Sequence, residues 1–195
     1  MIQQFKDYAQ TQAYGDYKVL PKGGYIVKIL GVSQEQNSNG PYLKIGCDIA
    51  EGEYKDFYAE QYKNDKRDNK KWGCNFLLSI PKDDGSEKDG WTKRSFKTFT
   101  EALEESNNGY HFDWDETKFK GKLIGGLFNE QEFTKADGSV GSTVRLAQVC
   151  AVQKIKEGTY KLPDDKKLNN TSAATPSASD IANNISDSIN EELPF

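Results

Sequence analysis

Five basic side chains, Lys63, Lys66, Arg67, Lys70 and Lys71, crowd into the run KNDKRDNKK, with Phe57, Tyr58 and Tyr62 before it and Trp72 directly after it. Cations that follow phosphates, and flat rings on which bases stack at about 1 to 3 kcal/mol each, are what a protein needs to hold a single nucleic-acid strand without regard to its sequence. A solvated lysine-rich loop has the same charge, but it gives no reason for rings to be interleaved in so polar a stretch. A second cluster, Trp91, Lys93, Arg94 and Lys97, opens a helix expected over about 93–106, whose far end carries Glu101, Glu104 and Glu105. Bases at the amino end and acids at the carboxyl end oppose the helix dipole. The inversion points to a phosphate site on the first amide hydrogens of the helix, the alternative being a surface pair between Lys97 and Glu101. Tyr42 and Lys44 extend this surface if they share the outer face of a strand, one stacking a base and the other holding a phosphate. Ordinary exposed strand residues would look the same.

Those residues need elements to carry them. Leu43, Ile45, Cys47 and Ile49 alternate with Tyr42, Lys44, Gly46 and Asp48, the period of a half-buried strand. The apolar run Tyr25 to Val32 precedes it, and SQEQNSNGP between them reads as a polar loop joining an antiparallel hairpin. A third strand is expected over Trp72 to Ile80, ended by Pro81, which cannot continue a central ladder. PKDDGSEKDG then leads as a loop into a helix from Lys93 to Ser106, with Phe96, Phe99 and Leu103 on its inner stripe and Gly109 as terminator. Two further strands, Lys122 to Phe133 and Thr143 to Val152, turn at Asp137-Gly138, and Gly125-Gly126 permits a sharp bend. The expectation is a mainly β fold: a five-stranded OB-fold barrel with one helix between strands 3 and 4, an architecture that recurrently binds oligonucleotides.

Composition divides the chain. Residues 1–163 read as the nucleic-acid-binding body, 164–190 as a linker and 191–195 as a separate tip. From Leu168 the sequence LNNTSAATPSASDIANNISDSIN is too poor in apolar area to offset the entropy of ordering it, so a disordered tail is expected. Asp180, Asp187, Glu191 and Glu192 give this tail the whole of the net charge of −4, and the remaining 167 residues are neutral with 26 basic side chains. A neutral body binds phosphate if its cations collect on one face. No apolar stretch approaches the roughly 20 residues of a membrane-spanning helix, and MIQQFKDYAQ lacks the features of a secretory signal, so a cytoplasmic protein without membrane attachment is expected. Cys47, Cys74 and Cys150 are odd in number and lack a CxxC pair, which reads as reduced, partly buried thiols.

Catalysis has no constellation to rest on. His111 is the sole histidine, a hydrolytic metal site takes three or four ligands, and neither a P-loop nor a nucleophile elbow occurs. Asp113 or Asp115 is expected to cap a short turn instead. No catalytic residue, metal or cofactor is expected.

The tip, Glu191-Glu192-Leu193-Pro194-Phe195, carries a specific resemblance. The chain resembles bacterial and phage single-stranded DNA-binding proteins, which join an OB-fold through a low-complexity polar linker to an acidic end closing on Pro-Phe or Phe. The resemblance implies docking of replication or recombination proteins, with the terminal ring in an apolar pocket, its carboxylate on a cation, and Glu191 and Glu192 on a basic rim. The Val-Leu-Gly-Arg-Leu type of run near the start of housekeeping members is replaced here by the polar, aromatic-bearing stretch Met1 to Lys22. That suggests a diverged phage or prophage type, and leaves open whether the chain forms a homo-oligomer. The competing reading is an adaptor whose barrel engages a replication or recombination protein without touching DNA. An adaptor should tolerate charge reversal across the lysine-rich run, and a strand binder should not.

Overall fold

The computed structural model describes residues 2–11 and 18–168. The first hairpin forms as its alternation requires, with β1 at Gly23–Asn37 and β2 at Gly40–Ile49 paired antiparallel from Val27↔Ile49 to Asn37↔Gly40. The stretch expected as a long polar loop is instead strand almost to its tip. Its side chains are polar because the arm runs out past the core, and the chain reverses only at Ser38 and Asn39, where the Asn39 amide donates to the Asn37 side chain at 2.8 Å. Across the arm the Tyr42 hydroxyl donates to Glu35 at 2.6 Å.

An unexpected helix, α1 (Phe57–Asn64), follows β2. The third strand, β3 (Asn75–Ser79), is shorter than predicted, since Trp72 and Cys74 lead into it as buried coil. The long helix α2 spans Glu87–Ser106 and starts six residues earlier than its apolar stripe suggested, with the Ser86 hydroxyl accepting the Asp89 amide at 3.1 Å. Phe96, Phe99 and Leu103 do face the core. A single 3-10 turn, Glu116–Phe119, is capped by the Asp115 carboxylate on the Thr117 amide, as expected for that aspartate.

The chain ends its sheet with β4 (Leu123–Thr134) and β5 (Val140–Cys150), and the predicted Asp137-Gly138 turn lies between them with Gly138 at φ +80°. Val152, expected to close the fifth strand, instead begins a short helix, α3 (Val152–Glu157). The sheet is entirely antiparallel, in the order β3-β2-β1-β4-β5. It is not closed into a barrel: β3 and β5 are outer strands that pair with no one on their second edges among the described residues. Val27, Ile29, Ile45, Ile49, Phe99, Leu103, Phe119 and Phe128 fill the core between the curved sheet and α2.

Gly125 serves close packing. A Cβ there would sit 2.7 Å from Ile155 and 2.9 Å from the Cys150 carbonyl, so only glycine lets α3 lie against β4. The body also continues beyond Pro163, its expected boundary. Residues 164–168 lie along β4, where Lys166 bridges Gln131 in parallel, its amide donating to Glu130 and its carbonyl accepting from Glu132, both at 2.9 Å. The Asn129 side chain donates to the Asp164 carbonyl at 2.6 Å. No helix among the described residues is long and apolar enough to cross a membrane.

Candidate nucleic-acid interface

The unpaired edges of β3 and β5 bound a cleft of about 1130 Å³, completed by α1 and by residues 18–22. Lys18, Lys22, Lys71, Arg145 and Lys166 bring cations to it, against the single acid Glu130. Asn75, Gln61 and Gln131 add amide groups, and Leu77, 57% exposed, adds an apolar floor on β3. A second cleft of about 640 Å³ continues from the first, sharing Lys18, Tyr58, Gln61 and Lys71, and adds Lys66 and Arg67 together with the acids Glu60 and Asp65.

One wall of both clefts is α1, and a buried carboxylate holds it there. Asp48, predicted on the outer face of β2, is instead 4% exposed. It accepts the amides of Ile49 at 2.8 Å, Tyr58 at 3.0 Å and Ala59 at 2.9 Å. The residue at the helix start, Asp56, has φ 59° and makes no side-chain cap, so an aspartate from the neighbouring strand answers the first helical amides. Burial lifts the Asp48 carboxyl above its ordinary range, while the three amide bonds work against that rise.

The structure brings together only part of the predicted lysine-rich site. Lys63, Lys66 and Lys71 are exposed and form no ion pair among the described residues, although only Lys66 and Lys71 line the clefts. Arg67 grips Asp65 through both oxygens, at 2.6 Å from Nη2 and 2.9 Å from Nε, which drives the Asp65 carboxyl down to about 2. Lys70 stands over the half-buried Tyr62 ring at 4.5 Å. Trp72 offers no stacking face of the kind predicted. It is buried, with its indole N–H donating to the Cys47 carbonyl at 2.8 Å, and Phe57 and Tyr58 are buried with it. These rings sit in a polar stretch because they anchor α1 to the sheet.

The predicted helix-start site is not formed. Because α2 begins at Glu87, its first turn carries Glu87 and Asp89, as the dipole favours, and Trp91, Lys93, Arg94 and Lys97 lie further along it. Lys93 is paired with Asp83 and, at 3.0 Å, with Asp89, which together raise its pKa. Lys97 pairs with Glu101 at 3.5 Å, the alternative weighed from sequence. Arg94 covers the exposed Trp91 ring at 5.2 Å. None of the four lines either cleft. Lys44 is likewise not on an open face: it is 6% exposed and faces Glu35 at 3.6 Å, the carboxylate that also accepts from Tyr42.

Sequence reasoning missed Lys18, Lys22, Arg145 and Lys166. Arg145 gave one sign, an arginine between Val144 and Leu146 in a strand that otherwise packs; the others gave none. Lys22 is tied to Asp165 at 2.7 Å, and that bond raises its pKa. Burial pushes the Cys47 thiol up to about 12, and Cys74 well above its usual value. Glu191, Glu192, Leu193, Pro194 and Phe195 lie outside the described residues. No group of three or more His, Cys, Asp and Glu side chains among the described residues is arranged to hold a metal ion. In comparisons with known proteins, no family model matches this sequence and no similar curated protein is found.

Proposed function

We propose that this protein binds single-stranded DNA without sequence preference in the cleft between β3 and β5, in support of DNA replication or recombination. The observation that carries the reading is the gathering of Lys18, Lys66, Lys71, Arg145 and Lys166, from four separate stretches of chain, around one continuous opening. Packing alone gives no cause to collect like charges in this way; a polyanion does. The strand order with a helix between β3 and β4 fits an OB-fold left open at its β3–β5 seam, which is the finer reading of the fold. Residues 191–195 are the segment we assign to docking of replication or recombination proteins, on their acidic and apolar composition.

The binding mode follows from the side chains available. Buried Phe57, Tyr58 and Trp72 leave little ring surface for stacking, so phosphate contacts dominate and salt weakens binding steeply. Anisotropy of a labelled oligo-dT, titrated with the full chain at two salt concentrations and competed with duplex, tests the reading. Tight binding at low salt that falls as salt rises, with duplex competing poorly, supports it. No affinity at low salt overturns it.

A further inference from the structure

We infer that Arg145 is the principal phosphate anchor of this cleft, the residue whose loss weakens strand binding most. This rests on the reading of the cleft as a single-strand site. The sequence holds three arginines, and their surroundings set them apart. Arg67 lines the smaller cleft, but its fork is occupied by both oxygens of Asp65. Arg94 lies over the Trp91 ring on α2, away from both clefts. Arg145 is exposed on β5, lines the larger cleft, and has no carboxylate partner among the described residues.

A guanidinium presents donors in a planar fork that matches two phosphate oxygens at once, whereas a lysine meets phosphate as a point charge. Lys18, Lys71 and Lys166 therefore supply general positive potential, and Arg145 alone supplies a directed, two-bonded contact. Its strand also holds it firmly. Arg145 stands opposite Asn129 in the β4–β5 ladder, and Asn129 is buried and bonded to the Asp164 carbonyl at 2.6 Å, so the backbone under the anchor is fixed before any ligand arrives. A rigid base spares the ordering cost that a loop-borne cation would incur on binding.

The test compares Arg145→Ala, Arg145→Lys and Arg94→Ala in the full chain, by anisotropy of labelled oligo-dT across a salt series. Arg145 is exposed, so each variant should fold, and an unchanged far-ultraviolet dichroism spectrum and melting profile check this. The expected result is a loss of about tenfold or more for Arg145→Ala, with the slope of log affinity on log salt reduced by about 0.7, one phosphate contact on a single strand. Arg145→Lys should keep the wild-type slope yet lose several-fold in affinity, which separates the two-bonded contact from mere charge. Arg94→Ala, exposed and away from both clefts, should lose no more than about twofold. Wild-type binding with Arg145→Ala within twofold of it, or Arg94→Ala losing as much as Arg145→Ala, overturns the anchor and leaves the strand-binding reading intact. Absence of wild-type binding removes both.

Discussion

The segments 63–72 and 91–97 look alike as text, each mixing lysines, an arginine and a tryptophan, and they end in opposite situations. In the second, α2 places acids at helical spacing from its bases, Asp89 four residues before Lys93 and Glu101 four residues after Lys97, and the charges close on one another. In the first, the chain leaves α1 at Asn64 and runs irregularly to β3. Only Arg67 closes an ion pair among the described residues, and Lys63, Lys66 and Lys71 remain exposed. The tryptophans trade roles as well: Trp72 is core and Trp91 is surface. Composition nominates a binding segment, but whether its charges are spent at home depends on the local backbone repeat.

The sharpest way to break this comparison is to remove what holds the first segment in place. Asp48→Ala would orphan the Tyr58 and Ala59 amides at the start of α1 together with the Ile49 amide at the end of β2, and should destabilise the fold by about 3 kcal/mol, read as a lower urea midpoint. The local cap of α2 is worth less: Ser86→Ala should cost about 1 kcal/mol. Equal losses would mean that α1 is not secured from β2. Next comes charge. Reversing Lys66 and Lys71 to glutamate should lower oligo-dT affinity more than tenfold, whereas reversing Lys93 and Lys97 should change it less than threefold, and a swapped order in the binding isotherms would end the distinction between the two segments.

Smaller effects sharpen it. Trp72→Phe removes the indole donor to the Cys47 carbonyl and should cost about 1 kcal/mol by denaturant titration. Trp91→Ala, at an exposed site, should stay within about 0.5 kcal/mol of wild type. The smallest expected effect is on titration. Asp65 is held down to about 2 by Arg67, so its favourable contribution is present above the unfolded carboxylate pKa and is lost as pH falls from about 4 through 2. Side-chain carboxyl NMR should place its midpoint near 2 in the wild type and higher in Arg67→Ala, where the backbone amide of residue 67 still donates to the carboxylate.

What could be read in advance was whatever the chain signals locally. Alternation marked β2, the stripe of Phe96, Phe99 and Leu103 marked the inner face of α2, and Asp137-Gly138 and Asp115 marked a turn and a cap. The start of α2 was also written locally, in Ser86 three residues before Asp89, but a polar stretch disguised it. α1 had no such sign, because its capping carboxylate comes from Asp48 on another element. Lys44 reads as exposed by its type and is buried because Glu35 meets it across the β1–β2 ladder. The cleft itself is a product of chain stretches as distant as Lys18 and Lys166, so its cations could not be collected from any one window of sequence.

The ribbon formed by residues 164–168 bears on where this chain can safely be cut. β1 accompanies β4 only as far as Gly23↔Phe128, and past that point the Glu130 carbonyl and the Glu132 amide are satisfied by Lys166. A version stopped at Pro163, where the composition changes, would leave that margin bare as a template for strands of neighbouring molecules, the usual seed of self-association in β proteins. Stopping after Leu168 would keep the margin covered.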